Sequence, residues 1–165
     1  MQSEKHLQRD ISHIQKLINI GDVAMLVSRS ADGIMKSRPM ETVEVSAEGE
    51  LFFFTTLSSE LIGELTENSF VNLSFIKEDN NFISVSGITQ VIKSEAMLIK
   101  LWESRYETWI QDGLDNPDIA LLKVSLVRAE HWRHNTMLNS IRQLFTPGVS
   151  AVNNVHESIE PDESR

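Results

Sequence analysis

Apolar residues recur along this chain with two different periods. Leu7, Ile11, Ile14 and Ile18 return every three or four positions after Ser3, a capping residue, and stop at Gly21, which predicts an amphipathic opening helix. The period then shortens. Val23 to Ser28 reads as a buried strand, Ala31-Asp32-Gly33 as a hairpin turn and Ile34 to Val45 as the return strand. After a turn at Ala47-Glu48-Gly49-Glu50, Leu51 to Thr56 forms a short aromatic strand. Ser58 then opens a helix in which Leu61, Ile62 and Leu65 repeat at helical spacing, and that helix ends near Asn68.

Strict alternation returns at Val71, Leu73 and Phe75, with Asn72 and Ser74 between them, and Asp79-Asn80-Asn81 turns the chain into a strand from Phe82 to Ile92. Gly87 inside that strand marks a bulge or a close backbone approach. Ser94 caps a helix carrying Met97, Leu98, Leu101 and Trp102; a loop through Gly113 and Pro117 follows, and a last strand runs from Ile119 to Trp132. Six strands, joined mostly by turns and interrupted by helices only after the third and the fifth, predict a mainly-β fold with flanking helices. The sheet is antiparallel and curls into a barrel. Residues 1–135 form this domain with its N-terminal helix, and residues 136–165 hold a further helix at Met137, Ile141, Leu144 and Phe145 and a mobile acidic tail.

Composition narrows the function. A chain of 165 residues suits one domain and buries roughly 70% of its unfolded surface. No apolar run approaches the ~20 residues of a membrane helix, and the polar start Met1-Gln2-Ser3-Glu4 predicts no signal peptide. With no cysteine, disulfides, thiolate metal sites and cysteine nucleophiles are excluded. Cytoplasm is the default compartment. A net charge of −9 without a basic stripe argues against nucleic acid and anionic membrane as partners.

Two short stretches carry candidate chemistry. Arg38-Pro39, in a strand, offers a planar guanidinium that can hold a phosphate bidentately. Thr55, Thr56, Ser58 and Ser59 offer hydroxyls beside the unpaired amides of a helix start. A strand end followed by a helix cap accounts for those hydroxyl residues on local grounds as well, and an arginine on a strand needs no ligand. Trp102, Trp109 and Trp132 suit core or dimer contacts. The histidine pairs His6/His13 and His131/His134 have no evident carboxylate companions, so no metal site is expected. Nucleophile-elbow and phosphate-loop patterns are absent.

Taken in order, several runs resemble the pyridoxamine 5′-phosphate oxidase-like superfamily of FMN-binding split barrels, in its bacterial general stress protein branch. The runs are Asp32-Gly33 with Ser37-Arg38-Pro39-Met40, Phe54-Thr55 to Glu64-Leu65, Asn68 with Val71 to Phe75, and Ser84-Val85-Ser86-Gly87. Leu101-Trp102, Trp109, Asp112-Gly113-Leu114, Pro117-Asp118 and Ala129-Glu130-His131-Trp132 extend them. The resemblance spans roughly Leu17 to Trp132 and implies a split-barrel homodimer with flavin mononucleotide (FMN) at the subunit interface. It implies that Arg38 grips the flavin phosphate, that Pro39 and Met40 lay backbone along the isoalloxazine beside Phe54, and that Thr55, Thr56 and Ser59 complete the phosphate shell. Trp109 would approach from the partner subunit.

One departure weakens the FMN expectation: where many relatives carry a lysine after the Ser59 position, this chain has Leu61, preceded by the acid Glu60. The arginine motif that binds substrate in true pyridoxamine phosphate oxidases is also missing near the C-terminus, so that activity is not expected. The resemblance implies a flavin-dependent oxidoreductase whose cofactor does the hard chemistry, with catalytic side chains and the small-molecule electron donor unassigned. A non-catalytic flavin-binding stress protein and a flavin-free dimeric scaffold stand beside it, as does a groove holding deazaflavin or haem instead.

Overall fold

The computed structural model describes residue 13, residues 16–78 and 81–132, and the backbone of 157–159. His13, Lys16 and Leu17 are helical, and the rest of the expected opening helix lies outside the described residues. So do the helix expected at Met137, Ile141, Leu144 and Phe145 and the proposed boundary between residues 135 and 136.

β1 (Val23–Arg29) buries Ala24, Leu26 and Ser28 on one face, as alternation requires. It turns through Gly33, whose φ of 88° suits a residue without Cβ, into β2 (Met35–Glu41). There the expected return strand departs from the sequence reading. It breaks at Thr42-Val43, because these residues change partners: the Thr42 amide donates to the Asp22 carbonyl beside β1, whereas the Val43 amide donates to Phe52. The two-residue β3 (Glu44–Val45) therefore pairs with β4 (Leu51–Thr56), not with β1.

The helix α1 (Glu60–Glu67) leads to β5 (Phe70–Lys77) and β6 (Asn81–Ile92); α2 (Glu95–Leu101) and two 3₁₀ turns (Ser104–Thr108 and Gly113–Asp115) lead to β7 (Ile119–Trp132). Ser94 caps α2 as expected, accepting from the Met97 amide. Residues Glu157–Ile159, expected as tail, add β8 alongside β7. With β3 and β8 the strands among the described residues number eight, not six, all antiparallel, seven of them in the order β2-β1-β5-β6-β7-β4-β3 and β8 pairing with β7 off that path. β2 and β3 sit at opposite ends of this path yet are joined by two residues, so the sheet must curl until its ends adjoin. It is a split barrel.

Curling puts an apolar layer on both sides of β4. Phe53, fully buried with Leu26, Leu73, Phe75 and Leu122, fills the barrel. Its neighbour Phe52 points the other way and packs with Leu98, Tyr106, Ile110 and Leu121 under α2 and the first 3₁₀ turn. Near the middle of β6 the register shifts between Ser86 and Gly87, the expected bulge. Among the described residues no helix is long and apolar enough to cross a membrane.

Candidate functional site

Where the barrel is split, a cavity of about 320 Å³ opens between β2, the end of β4, the start of α1 and the 3₁₀ turn at Ser104–Thr108. All eight residues nominated from the sequence line it: Arg38, Pro39, Met40, Phe54, Thr55, Thr56, Ser59 and Trp109. Local structure explains the convergence. β2 is the first strand of the path, so Pro39, which has no N–H, sits where a ladder bond is dispensable. Lys36, Arg38 and Met40 alternate with Ser37 and Pro39, which puts the two cations on the face that looks toward α1.

The end of β4 supplies the hydroxyls. Thr55 Oγ1 and Ser59 Oγ lie 3.3 Å apart, and Ser59, the N-cap of α1, makes no side-chain cap bond. The Ser58 amide donates to Asp118 Oδ2 at 3.1 Å. One residue before Thr55, Phe54 meets Trp102 and Tyr106 at centroid distances of 5.2 and 5.0 Å. Trp109 is three-quarters exposed and lines the cavity of its own chain.

The sequence reading missed the partner of Arg38. Glu64, 5% exposed on the buried side of α1, receives the guanidinium as a fork: Nη1 donates to Oε2 at 2.9 Å, and Nη2 donates to Oε1 at 3.1 Å and Oε2 at 2.9 Å. Ser28 Oγ donates to the same Oε2 at 2.5 Å, and Lys36 Nζ lies 3.3 Å from Oε1. Burial pushes the Glu64 carboxyl up, but the hydrogen bonds from Ser28 and Arg38, the charge of Arg38 and the bond from Lys36 outweigh it, and the net shift is downward. A sequence signal existed. Glu64 follows Leu61 by three and precedes Leu65 on the apolar stripe of the helix, where a carboxylate needs a buried cation.

Glu60 is mostly exposed and pairs with Lys36, whose pKa is raised chiefly by that hydrogen bond. Leu61 is buried in the barrel core and lines the cavity, so it is a packing residue.

At the lip, Glu41 pairs with Arg105 at 2.6 Å. Arg105 Nη2 donates to the Tyr106 hydroxyl at 2.8 Å and its guanidinium carbon stands 4.7 Å from the ring centroid. Burial pushes the Tyr106 phenol up. Among the described residues no cluster of three or more potential ligands could hold a metal. The cavity lining therefore combines apolar and aromatic side chains with hydroxyls and a guanidinium, which fits a flat conjugated ring bearing a phosphorylated tail.

A family described as "pyridoxamine 5′-phosphate oxidase like" matches residues 9–153. No curated protein sequence matches the chain. Similar solved structures include a Clostridium acetobutylicum protein related to general stress protein 26, 17% identical over 77% of this chain and 90% of that one, with a TM-score of 0.64. General stress protein 26 from Bacillus anthracis is 19% identical over 76% and 93%, with a TM-score of 0.62. The general stress FMN/FAD binding protein of Xanthomonas citri is 24% identical over 90% and 96%, also with a TM-score of 0.62. These likenesses establish the split-barrel fold.

Proposed function

The chain belongs to the pyridoxamine 5′-phosphate oxidase-like family, and from that premise we propose that its cavity binds FMN and that the protein is a flavin-dependent oxidoreductase of the general stress protein type. The observation that carries this reading is the convergence of eight residues, from three separate stretches of the chain, on one cavity that combines hydroxyls and a guanidinium with apolar and aromatic side chains. Arg38, Thr55, Thr56 and Ser59 would hold the phosphate, and Pro39, Met40, Phe54 and Trp109 would hold the isoalloxazine. Bound FMN supplies hydride and electron transfer. The chain's own task is to hold the ring, exclude water from one face and bind the tail. Among the described residues no histidine lines the cavity, and the carboxylate that does, Glu41, is paired with Arg105.

The working unit is a homodimer. Met25, Phe70, Ile76 and Ile88 stand exposed on the outward face of the sheet, on positions whose register puts them on one side. The cavity borders that face through Val23 and Pro39, so a second copy covering it would seat the flavin at the seam.

A titration of the protein with FMN, followed by flavin fluorescence, tests the first step. Saturable quenching is expected, and a protein that leaves excess FMN unquenched overturns the reading. Anaerobic mixing of the loaded protein with reduced nicotinamides separates the oxidoreductase, whose yellow colour bleaches, from a binding protein, whose colour persists.

A further inference from the structure

We propose that Glu64 sets the phosphate selectivity of the cavity: it is the resident counter-ion of Arg38, and a ligand's phosphate must share that guanidinium with it. This rests on the flavin reading above. Arg38 makes four hydrogen bonds within the chain, three to Glu64 and one to Ser28, and so spends both terminal nitrogens before any ligand arrives. Nor is Glu64 an exposed side chain that can swing aside. It is buried on a helix packed into the core and held by Ser28 and Lys36 as well as by Arg38.

The charges sum to nothing. Lys36 and Arg38 contribute two positive charges, Glu60 and Glu64 two negative ones, and the four side chains are linked into one cluster. A phosphate dianion arriving beside Arg38 therefore meets hydrogen-bond donors in a neutral cluster, where an unpaired arginine would offer a net cation. The ring of a flavin is recognised elsewhere, at Phe54, Met40 and Trp109, and has no stake in Glu64. The consequence is a cavity that prefers FMN over riboflavin by much less than its arginine suggests, with Glu64 as the residue that decides how much less.

The ratio of riboflavin to FMN dissociation constants reads this directly, because damage to the fold weakens both ligands together and leaves the ratio in place. Both constants are measured by fluorescence quenching for the parent protein, Glu64→Gln and Lys36→Met. Glutamine keeps the shape and an acceptor for Arg38 and removes one negative charge. Glu64→Gln is expected to raise the ratio about tenfold. Lys36→Met, at a side chain about one-third exposed, leaves the cluster with a net negative charge and is expected to lower the ratio severalfold.

A ratio that is unchanged or lower in Glu64→Gln, with parent-like flavin binding otherwise, overturns the selectivity role and leaves the FMN reading intact. If Glu64→Gln does not fold, an unchanged ratio in Lys36→Met overturns it instead. A parent protein that binds neither flavin overturns both.

Discussion

The guanidinium of Arg38 and the carboxylate of Glu64 form a bidentate pair across the split of the barrel, tying the edge strand β2 to the helix α1. The pair is both architecture and site. It closes the gap between two elements that share no ladder, and it orients the guanidinium that lines the cavity.

Arg38→Ala consequently acts twice. It removes a charge-assisted donor to a phosphate, for an expected loss of about 1.5–3 kcal/mol, or ten- to a hundredfold in FMN affinity. It also strands a buried carboxylate. Breaking a fully buried pair costs about 3–5 kcal/mol, and the partial exposure of Arg38 reduces that to about 2–3 kcal/mol here. A fall in the thermal midpoint of about 5–10 °C should accompany the lost affinity. Calorimetry of the flavin-free protein would separate the effects, and an unchanged midpoint would mean that Glu64 is satisfied without Arg38.

Much of this was legible in the pattern of the chain because its signals are local. The hairpin at Asp32-Gly33, the bulge at Gly87, the cap at Ser94 and the aromatic strand Leu51–Thr56 each follow from residues within a few positions, and each stands in the structure. What was not legible depends on pairing at long range. The break at Thr42-Val43 exists because Phe52 offers its carbonyl there, and nothing between Ile34 and Val45 announces it. The site divides in the same way. Arg38, Thr55 and Ser59 stood out by residue type, whereas Glu64 acquires its meaning from Ser28 and Arg38, 36 and 26 positions away. Glu60, next to the expected phosphate in sequence, has an exposed side chain that pairs with Lys36, a contact that no residue near it in sequence announces.

Trp109 offers a clean separation of binding from folding. Its indole is 75% exposed, so Trp109→Ala should change stability by no more than about 0.5 kcal/mol. Lost stacking over the cavity mouth should weaken FMN about two- to tenfold. Equal FMN constants for the two proteins would remove Trp109 from the site.

Gly87 should resist substitution for a reason unrelated to flavin. A Cβ there would lie 2.7 Å from the Ser125 carbonyl oxygen and closer still to the Val124 side chain, and backbone cannot yield as a side-chain tip can. Gly87→Ala is expected to cost about 1–3 kcal/mol. Urea denaturation would show it, and a midpoint equal to the parent's would mean that the β6–β7 bulge relaxes freely.

Acid should dissect the Arg38–Glu64 pair without removing either residue. The Glu64 carboxyl is held below its ordinary value of 4.5: burial acts upward, and the bonds from Ser28 and Arg38, with the positive charges around it, act downward and prevail. A carboxyl with a lowered folded pKa binds protons more readily in the unfolded chain. Its contribution to stability is therefore fully present above pH 4.5 and drains away as pH falls through the lowered folded value. Glutamine at this position does not titrate. The stability gap between the parent and Glu64→Gln should accordingly be widest near neutrality and shrink below pH 4.5. Asp32, whose carboxyl is also lowered, chiefly by its bond from Ser30, is exposed on the far hairpin and titrates alike in both proteins, so it cancels from the difference. Urea midpoints from pH 7 to pH 3 measure the gap. A gap that stays constant across that range would mean that Glu64 carries no lowered carboxyl, and that Arg38 is held by shape and hydrogen bonding without the charge.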